Sequence, residues 1–411
     1  MMQPDWLEIQ FSIIRPRALA ALTRQFRDLE IAEESFAISC ERALKNWPAR
    51  GLPDDPFAWL LTVSRNAGRD ILRKQSRHYG AEQAEPSEML EELYIEYIDN
   101  EGLRDDVLRL LFICCHPALT PQDQSAVALR IVTGMSVEEI SGAFLIKPKT
   151  MEQRITRAKR TIASANTPFE TPDLIERSNR LNTVMLMLYL TFNEGWSASS
   201  GETHIKLPLC NEAIRLCRLL LDLFPSVSEL MGLLSLFLFQ HSRWTARISE
   251  QGNLIPLEHQ DRTKWDHAKI NEAHALLEKA LRHGTPGSYQ VQAAIASEHA
   301  RNQPSSETDW VEIERLYRAL YLLEPTPVIK LNHATAIAKT KGPRAAIDIL
   351  KTLEKELAHY RWYHSALGGL YEEIRDFSAS IAAYNEALLL NPTKQETQFL
   401  ADKISMLEKN F

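Results

Sequence analysis

Residues 135–162 restrict the local fold to two helices with a short break between them. Ser136 and Glu139 have the spacing of a capping box, in which each side chain accepts a hydrogen bond from the other residue's backbone N–H. Pro148 suits the first turn of a second helix, where a backbone N–H has no helical partner. That helix would bury one apolar face, made by Met151, Ile155 and Ala158. The pattern predicts a helix-turn-helix.

The opposite face of the second helix is polar and cationic. It carries Lys149, Thr150, Gln153, Arg154 and Arg157. Gln and Arg side chains can read base edges in the major groove, and Lys and Arg can hold phosphates. The alternative is a cationic helix on a solvated surface. The capping box, the break and the polar face together favour DNA binding.

Residues 46–78 contain a second candidate surface for nucleic acid. A segment with three prolines is expected to form a loop that leads into a helix. Along that helix four polar or cationic residues recur at near-helical spacing: Asn66, Arg69, Arg73 and Lys74. Trp47, Phe57 and Trp59 beside these bases could stack on unpaired nucleotides, although tryptophans at such spacing also pack in cores.

The distribution of charged residues along the chain is more informative than the net charge, which is −7. Residues 65–77 hold five bases and one acid, and residues 147–160 hold six bases and one acid. Between these two basic segments, residues 80–106 hold ten acids and one arginine. Two cationic helices joined by an acidic linker differ from a uniformly solvated surface.

Cysteine usage argues against a disulfide framework or a zinc finger. The five cysteines are Cys40, Cys114, Cys115, Cys210 and Cys217, an odd number without a CxxC pair. In "LLFICCHPAL" (110–119), adjacent thiols would point to different faces of a helix, which suits one tetrahedral metal poorly. We therefore interpret this stretch as a buried helix that Pro117 stops, and we expect no metal and no cofactor.

Composition and length place the chain among globular proteins of several domains. It has 411 residues, of which 45% are hydrophobic and 25% are charged. No apolar run approaches the roughly 20 residues of a membrane span, and the N-terminus lacks a secretory pattern. We expect no membrane association and a cytoplasmic location.

Nearly every segment has helical periodicity, so the predicted fold is all-α. We expect a first domain over 10–79, an acidic linker over 80–104, a helix-turn-helix domain over 105–165 and an extension over 172–411, with a boundary at 164–173. In 360–392, small and aromatic residues have the tetratricopeptide (TPR) pattern. When this pattern is moved 34 residues towards the N-terminus, the positions equivalent to its small and aromatic residues are Ala334, Ile337, Leu350 and Leu353. The extension is therefore expected to be a TPR-like α-solenoid, because each helix pair needs a neighbour to bury its apolar face.

The first two domains resemble regions 2 and 4 of extracytoplasmic-function (ECF) sigma factors. The resemblance is carried by "DLEIAEESFAISCERALKNWP" (28–48) with "FAWLLTVSRN" (57–66), and by 108–160. "LLFICCHPALT", "FNEGWSASSGE" (192–202) and "HQDRTKWD" (259–266) are similar to phrases of one ECF group that carries a long TPR-like C-terminal extension.

The resemblance implies core RNA polymerase and promoter DNA as partners. Because TPR arrays usually bind peptides in a concave groove, we expect a protein or peptide partner for the extension. Four acids would contact polymerase: Asp28, Glu30, Glu33 and Glu34. Residues at the −10 element would be Asn46, Trp59, Asn66, Arg69, Arg73 and Lys74, and 46–57 would include a loop that captures a flipped base. The polar face of the helix-turn-helix would read the −35 element. The sequence departs from the family at Ala37, Ile38 and Cys40, where a Gln-Glu pair and then a Phe are usual.

Two other functions remain open at the level of sequence. One is a TPR-containing DNA-binding regulator or adaptor that does not engage polymerase. The other is an enzyme that uses the serines and histidine of "NEGWSASSGETH", namely Ser197, Ser199, Ser200 and His204. This stretch has no nucleophile elbow and no nearby acid to orient His204, so we do not expect an enzyme.

Overall fold

The computed structural model describes residues 4–78, 106–144, 146–164, 174–199, 203–284, 286–301 and 307–409. Every regular element in these ranges is a helix, beside one isolated bridge between Ile248 and Leu254. The predicted all-α fold is confirmed. The predicted acidic linker and all but the first residue of the predicted boundary at 164–173 lie outside the described residues.

The chain divides into two compact units, Met1–Leu190 and Thr191–Phe411, which we call the first and second units. The first unit begins with three long helices, α1 (Pro4–Phe26), α2 (Leu29–Arg50) and α3 (Pro56–His78). Asp28 starts α2 because its carboxylate accepts the Ile31 N–H at 2.9 Å. The facing sides of the three helices bury Leu19, Leu22, Phe36 and Leu60.

The expected loop over 46–57 is shorter than its sequence suggested. Helix α2 continues through Pro48 to Arg50 and ends at Gly51, whose N–H donates to Trp47 O at 3.0 Å. Gly51 has a φ of 83°, a backbone conformation that glycine adopts without strain. Pro48 lies inside the last turn of this helix and lacks the N–H that another residue would donate there. The loop therefore spans residues 51–55.

The helix-turn-helix is confirmed as the end of a group of four helices: α4 (Asp106–Cys114), α5 (Pro121–Ala128), α6 (Val137–Ala143) and α7 (Pro148–Ala163). Helix α5 runs on into a π-helical turn, Leu129–Thr133. Both hydrogen bonds of the predicted capping box are present, from Ser136 N to Glu139 Oε2 at 2.6 Å and from Glu139 N to Ser136 Oγ at 3.1 Å. Helix α7 buries Met151, Ile155, Ala158 and Ile162.

Helix α8 (Leu174–Trp196) contains the division between the two compact units, which falls after Leu190. Its first part packs within the first unit. Arg180 Nη1 donates to Phe112 O at 2.8 Å, and Cys115 Sγ lies 3.6 Å from Met187 Sδ. Leu190 packs on the buried cluster around Ile140. The contacting residues are far apart in the sequence, so a change of composition along the chain could not reveal these contacts.

The second unit continues with helices that follow one another as packed neighbours. They are α9 (Leu207–Leu223), α10 (Ser228–Ser242), α11 (His267–Leu281), α12 (Ser288–Arg301), α13 (Trp310–Leu323), α14 (Pro327–Lys341), α15 (Pro343–Lys351), α16 (Glu354–Leu357), α17 (Arg361–Glu373), α18 (Phe377–Leu388) and α19 (Lys394–Glu408). Between α10 and α11 the chain forms short 3₁₀ turns at Trp244–Ala246, Leu257–His259 and Arg262–Lys264.

The repeat positions of the extension are core positions. Ala334, Leu350, Leu353 and Leu367 lie in one buried cluster. Helices α17 and α18 approach closely at Gly368, where an added Cβ would lie 2.4 Å from the Tyr384 ring. A glycine is therefore required at this crossing. The assignment of the whole array to the TPR class stays a prediction.

Candidate nucleic-acid interface

Helix α7 presents a polar, solvated face beside its buried one. Lys149, Thr150, Gln153 and Arg157 are exposed together, while Met151 and Ile155 anchor the opposite side in the core. An exposed row of amide, hydroxyl and cationic groups on the second helix of a helix-turn-helix has the chemistry needed to reach bases and phosphates.

Arg154 differs from the other four predicted residues because it is half-buried and ion-paired. Its Nε lies 3.3 Å from Asp123 Oδ1, in the first turn of α5. This pair ties the second helix of the motif to α5 and fixes the direction of the guanidinium. Sequence spacing placed Arg154 beside Gln153 and Arg157 but could not show its partner.

Helix α3 carries the second predicted cationic surface. Asn66, Arg69, Arg73 and Lys74 are all exposed. Arg73 Nη1 lies 3.8 Å from Asp70 Oδ1, a solvated pair of little energetic weight. The row is therefore accessible to a phosphate backbone.

A cavity of about 340 Å³ lies where α2, the 51–55 loop and α3 meet. Its lining residues are Asn46, Trp47, Gly51, Leu52, Pro53 and Trp59. Trp47 is buried and packs edge-on against the half-buried Trp59, with 5.4 Å between ring centroids. Asn46 Nδ2 donates to Arg42 O at 2.7 Å. An aromatic wall and a polar amide in one cavity can accept a planar, hydrogen-bonding group.

The predicted stacking surface is thus only partly available. Trp47 is 2% exposed and belongs to the core, where it also packs against Phe11. Phe57 lies under the Arg17 guanidinium at 4.5 Å. Trp59 remains as the half-buried aromatic group at the cavity.

The four predicted polymerase-contacting acids fall into two groups. Glu30 and Glu34 are exposed on α2. Asp28 caps α2, and Glu33 is bound from two sides, by Arg15 Nη2 at 3.1 Å and by Lys159 Nζ of α7. Glu33 therefore links α1, α2 and α7, a role that sequence reasoning missed because its partner Lys159 is 126 residues away.

The residues that depart from the family lie on the same helix. Ala37 is exposed, and Ile38 and Cys40 are half-buried. Burial raises the pKa of Cys40 to about 11, so this thiol is protonated at neutral pH. The departure leaves a less polar surface next to Glu34.

The Cys114–Cys115 pair is the end of a buried helix, as interpreted. Both thiols are fully buried, and burial raises the pKa of Cys115 to about 12. His116 Nδ1 accepts the Ala118 N–H at 3.2 Å. In the ranges that the structure describes, no group of three or more His, Cys, Asp or Glu side chains could hold a metal ion.

His204 in the second unit has an acid nearby, contrary to our expectation. Its Nδ1 lies 3.6 Å from Glu396 Oε1, and its Nε2 lies 3.4 Å from Ser197 Oγ. Glu396 is far away in sequence, which is why the spacing did not reveal it. The arrangement resembles a catalytic triad in outline.

Arg247 makes this arrangement unsuited to proton transfer. Its Nη2 donates to His204 Nε2 at 3.0 Å, so it occupies the lone pair that a general base needs. Burial, with Arg247 and Arg361 nearby, lowers the pKa of His204 to about 3. The imidazole is thus neutral and a weak base at ordinary pH. Ser200 lies outside the described residues.

Comparisons with known proteins agree with the geometry of the first unit. Residues 109–162, which include helices α5 and α6 and most of α4 and α7, match the family "Sigma-70, region 4". Residues 180–281 match a family of unknown function (DUF6596). The chain therefore contains a sigma-70 region 4 domain, a helix-turn-helix class that implies interaction with promoter DNA and RNA polymerase.

An uncharacterized protein of Rhizobium meliloti (strain 1021) is 46% identical over 413 residues, which cover 99% of this chain and 97% of that protein. The chain belongs to the same family as this protein. None of the described helices combines the length and the apolar composition that a membrane span requires.

Proposed function

We propose that this chain is an ECF-type sigma factor that gives RNA polymerase its promoter choice. The observation that carries the proposal is the exposed row Lys149, Thr150, Gln153 and Arg157 on the second helix of a region 4 domain. In this role, Gln153 and Arg157 read base edges of the −35 element, and Lys149 and Thr150 hold its backbone. Arg154 joins them only when its pair with Asp123 opens, and otherwise fixes the helix.

The α2–α3 segment is proposed to handle the −10 element. The cavity beside Trp59 and Asn46 would take one unstacked base, and the row from Asn66 to Lys74 would hold the single strand next to it. Binding of single-stranded DNA needs an aromatic group for stacking and cations for the phosphates. Helix α3 carries both, at Trp59 and in the row from Asn66 to Lys74.

Core polymerase is proposed to bind the acidic side of α2 at Glu30, Glu33 and Glu34, with Asp28 holding the helix start. Glu33 is engaged with Arg15 and Lys159. Polymerase binding through Glu33 would therefore compete with the contact between α2 and α7, which supports a rearrangement of the first unit on binding.

The chain is not proposed to be an enzyme, and it would act in the cytoplasm with polymerase making the phosphodiester bonds. Its second unit would be a TPR-like extension that regulates activity or binds a protein or peptide partner. Arrays of helix pairs present extended surfaces for this use.

The second candidate is a DNA-binding regulator that does not engage polymerase. The internal pairing of Glu33 and the apolar substitutions at Ala37 and Ile38 favour it, since both reduce the polar surface available to polymerase. Such a regulator would shift duplex promoter DNA alone, whereas the proposed sigma factor would need core polymerase.

In vitro transcription with bacterial core polymerase on a genomic DNA library tests the proposal. The full-length chain should direct initiation at a defined set of promoters. The double variant Gln153→Ala and Arg157→Ala should lose this selection, and Arg315→Ala, an exposed arginine of α13, should keep it. Promoter-independent initiation by every form would contradict the proposal.

A further inference from the structure

Two arginines of the second unit lie on one buried tryptophan. The guanidinium carbon of Arg247 lies 4.0 Å from the centroid of the Trp196 ring, and that of Arg243 lies 5.1 Å from it. Trp196 is 8% exposed, and both arginines are half-buried. We call Arg243 and Arg247 the arginine pair.

Within the described ranges, the hydrogen-bond acceptors of the arginine pair are all neutral. Arg243 donates to the side-chain oxygen of Gln240, from Nε at 3.2 Å and from Nη2. Arg247 donates to Trp196 O and to His204 Nε2. Among the residues that the structure describes, neither arginine forms an ion pair with a carboxylate.

Neighbouring cations of the same unit are neutralised. Lys206 Nζ lies 2.9 Å from Glu194 Oε1, and Arg361 Nη2 lies 3.2 Å from Glu396 Oε2. In contrast to these two cations, Arg243 and Arg247 have no carboxylate in contact among the described residues, and Glu396 acts on Arg247 only through its charge at longer range.

Two like charges held together and partly out of water are unfavourable unless an anion compensates them. Burial first, and then the charges of Arg247 and Arg262, lowers the pKa of Arg243 to about 9. Burial lowers the pKa of Arg247 to about 10, although the charge of Glu396 opposes this shift. Each guanidinium keeps N–H donors beyond those used. Its planar fork matches the two oxygens of a carboxylate or a phosphate.

We propose that Arg243 and Arg247 form the binding site of an oxyanion, the carboxylate or phosphate group of a small-molecule ligand. The partial burial of both side chains on Trp196 fits a compact anionic group better than an extended peptide. Gln240 and His204 fix the guanidinium planes before the ligand arrives, which lowers the entropy lost on binding. The site lies in residues 180–281, to which the family match assigns no function. Binding does not depend on the proposed role in transcription.

Isothermal titration calorimetry of the full-length chain at constant ionic strength tests the proposal without polymerase. Inorganic phosphate and succinate serve as separate probes, and they distinguish a phosphate source from a carboxylate source. At least one should bind saturably, and Arg243→Gln or Arg247→Gln should weaken it by about tenfold or more, the loss of a charge-assisted hydrogen bond. Arg315→Gln should bind as the wild-type chain does.

The proposal would be overturned if neither probe bound saturably. It would also be overturned if both Gln variants bound the probe as tightly as the wild-type chain does. If a hexaglutamate peptide bound but neither phosphate nor succinate did, the arginine pair would be a peptide site instead of a small-molecule site.

If the Gln variants fail to fold, the wild-type chain still decides. Phenylglyoxal modifies accessible arginines, and the modified positions are read by mass spectrometry. Saturating phosphate or succinate should slow modification at Arg243 and Arg247 while the rate at Arg315 stays the same. Unchanged rates at the arginine pair would overturn the proposal.

Discussion

Two sets of cationic side chains, one in each unit, lie in opposite environments. On α7, Lys149 and Arg157 are exposed to solvent. In the second unit, Arg243, Arg247 and Arg361 lie on tryptophan rings and are partly or largely buried. The first arrangement leaves charges free to meet a long polyanion with little desolvation, since water already surrounds them. The second positions a few charges rigidly for a single partner.

The difference shows that a cation's environment says more about its role than its presence does. Substitution of a solvated cation changes the stability of the fold little, whereas substitution of a buried, paired cation destabilises the unit that contains it. Four predictions test this contrast.

The largest effect should come from Arg361, which is 7% exposed. It donates to Ser199 O at 2.6 Å and Ala198 O at 2.7 Å and pairs with Glu396. Arg361→Ala should lower the free energy of unfolding by about 3–5 kcal/mol, since it leaves a buried carboxylate without its partner. Urea-induced unfolding measures this. Lys45→Ala, which breaks the exposed pair with Glu41, should change it by less than about 0.5 kcal/mol. If both variants lost the same free energy of unfolding, the contrast between buried and solvated cations would be wrong.

Substitutions on α7 should affect DNA recognition instead of folding. Gln153→Ala or Arg157→Ala should each weaken holoenzyme binding to the preferred −35 sequence by about 1–3 kcal/mol and relax specificity there. Fluorescence anisotropy with promoter DNA measures both quantities. Thr161→Ala, at a half-buried position near the end of the same helix, is the matched control. Loss of core polymerase binding in parallel with DNA binding would argue against direct base contacts.

The second unit should also be acid-sensitive. Burial lowers the pKa of His204 to about 3 and that of His241 and His299 to about 4, against 6.5 for a free histidine. Above pH 6.5 these groups are neutral in both states and have no effect. Below it the unfolded chain binds protons that the folded chain does not, so stability falls by about 1–2 kcal/mol per histidine by pH 5.

Unfolding in urea at pH 7.5, 6 and 5 measures this acid sensitivity. A variant His204→Gln should have a shallower pH dependence than the wild-type chain. The same slope in both would mean that His204 is charged when folded.

The smallest effect concerns Lys149, which is predicted to hold a phosphate. Lys149→Ala should reduce the slope of log binding constant against log salt by about 1, with equal weakening on all sequences. Titrations of promoter and unrelated DNA at several salt concentrations measure it. A sequence-dependent loss would assign Lys149 to base reading.

Local signals in the sequence predicted much of the first unit. The capping box at Ser136 and Glu139 and the apolar spacing of α7 are short-range, so each could be inferred from a few neighbouring residues. The same reasoning predicted which face of α7 is exposed. It failed at residues 46–50, because three prolines suggested a loop although the helix continues through the first of them.

Pairings across long stretches of sequence could not be inferred. Asp123 holds Arg154, Lys159 reaches Glu33, and Glu396 lies beside His204. In each case periodicity gives the face on which a side chain lies but not the residue that it meets. These partners decide which predicted site residues are available and which are engaged.

Direct association with bacterial core RNA polymerase tests the central claim. With core polymerase immobilised and the purified full-length chain in solution, we expect saturable binding. Glu34→Lys on α2 should weaken it strongly, and Glu324→Lys, an exposed acid of the second unit, should leave it unchanged. If the wild-type chain shows no association at low or moderate salt, or if both variants bind equally, this chain does not serve polymerase through α2.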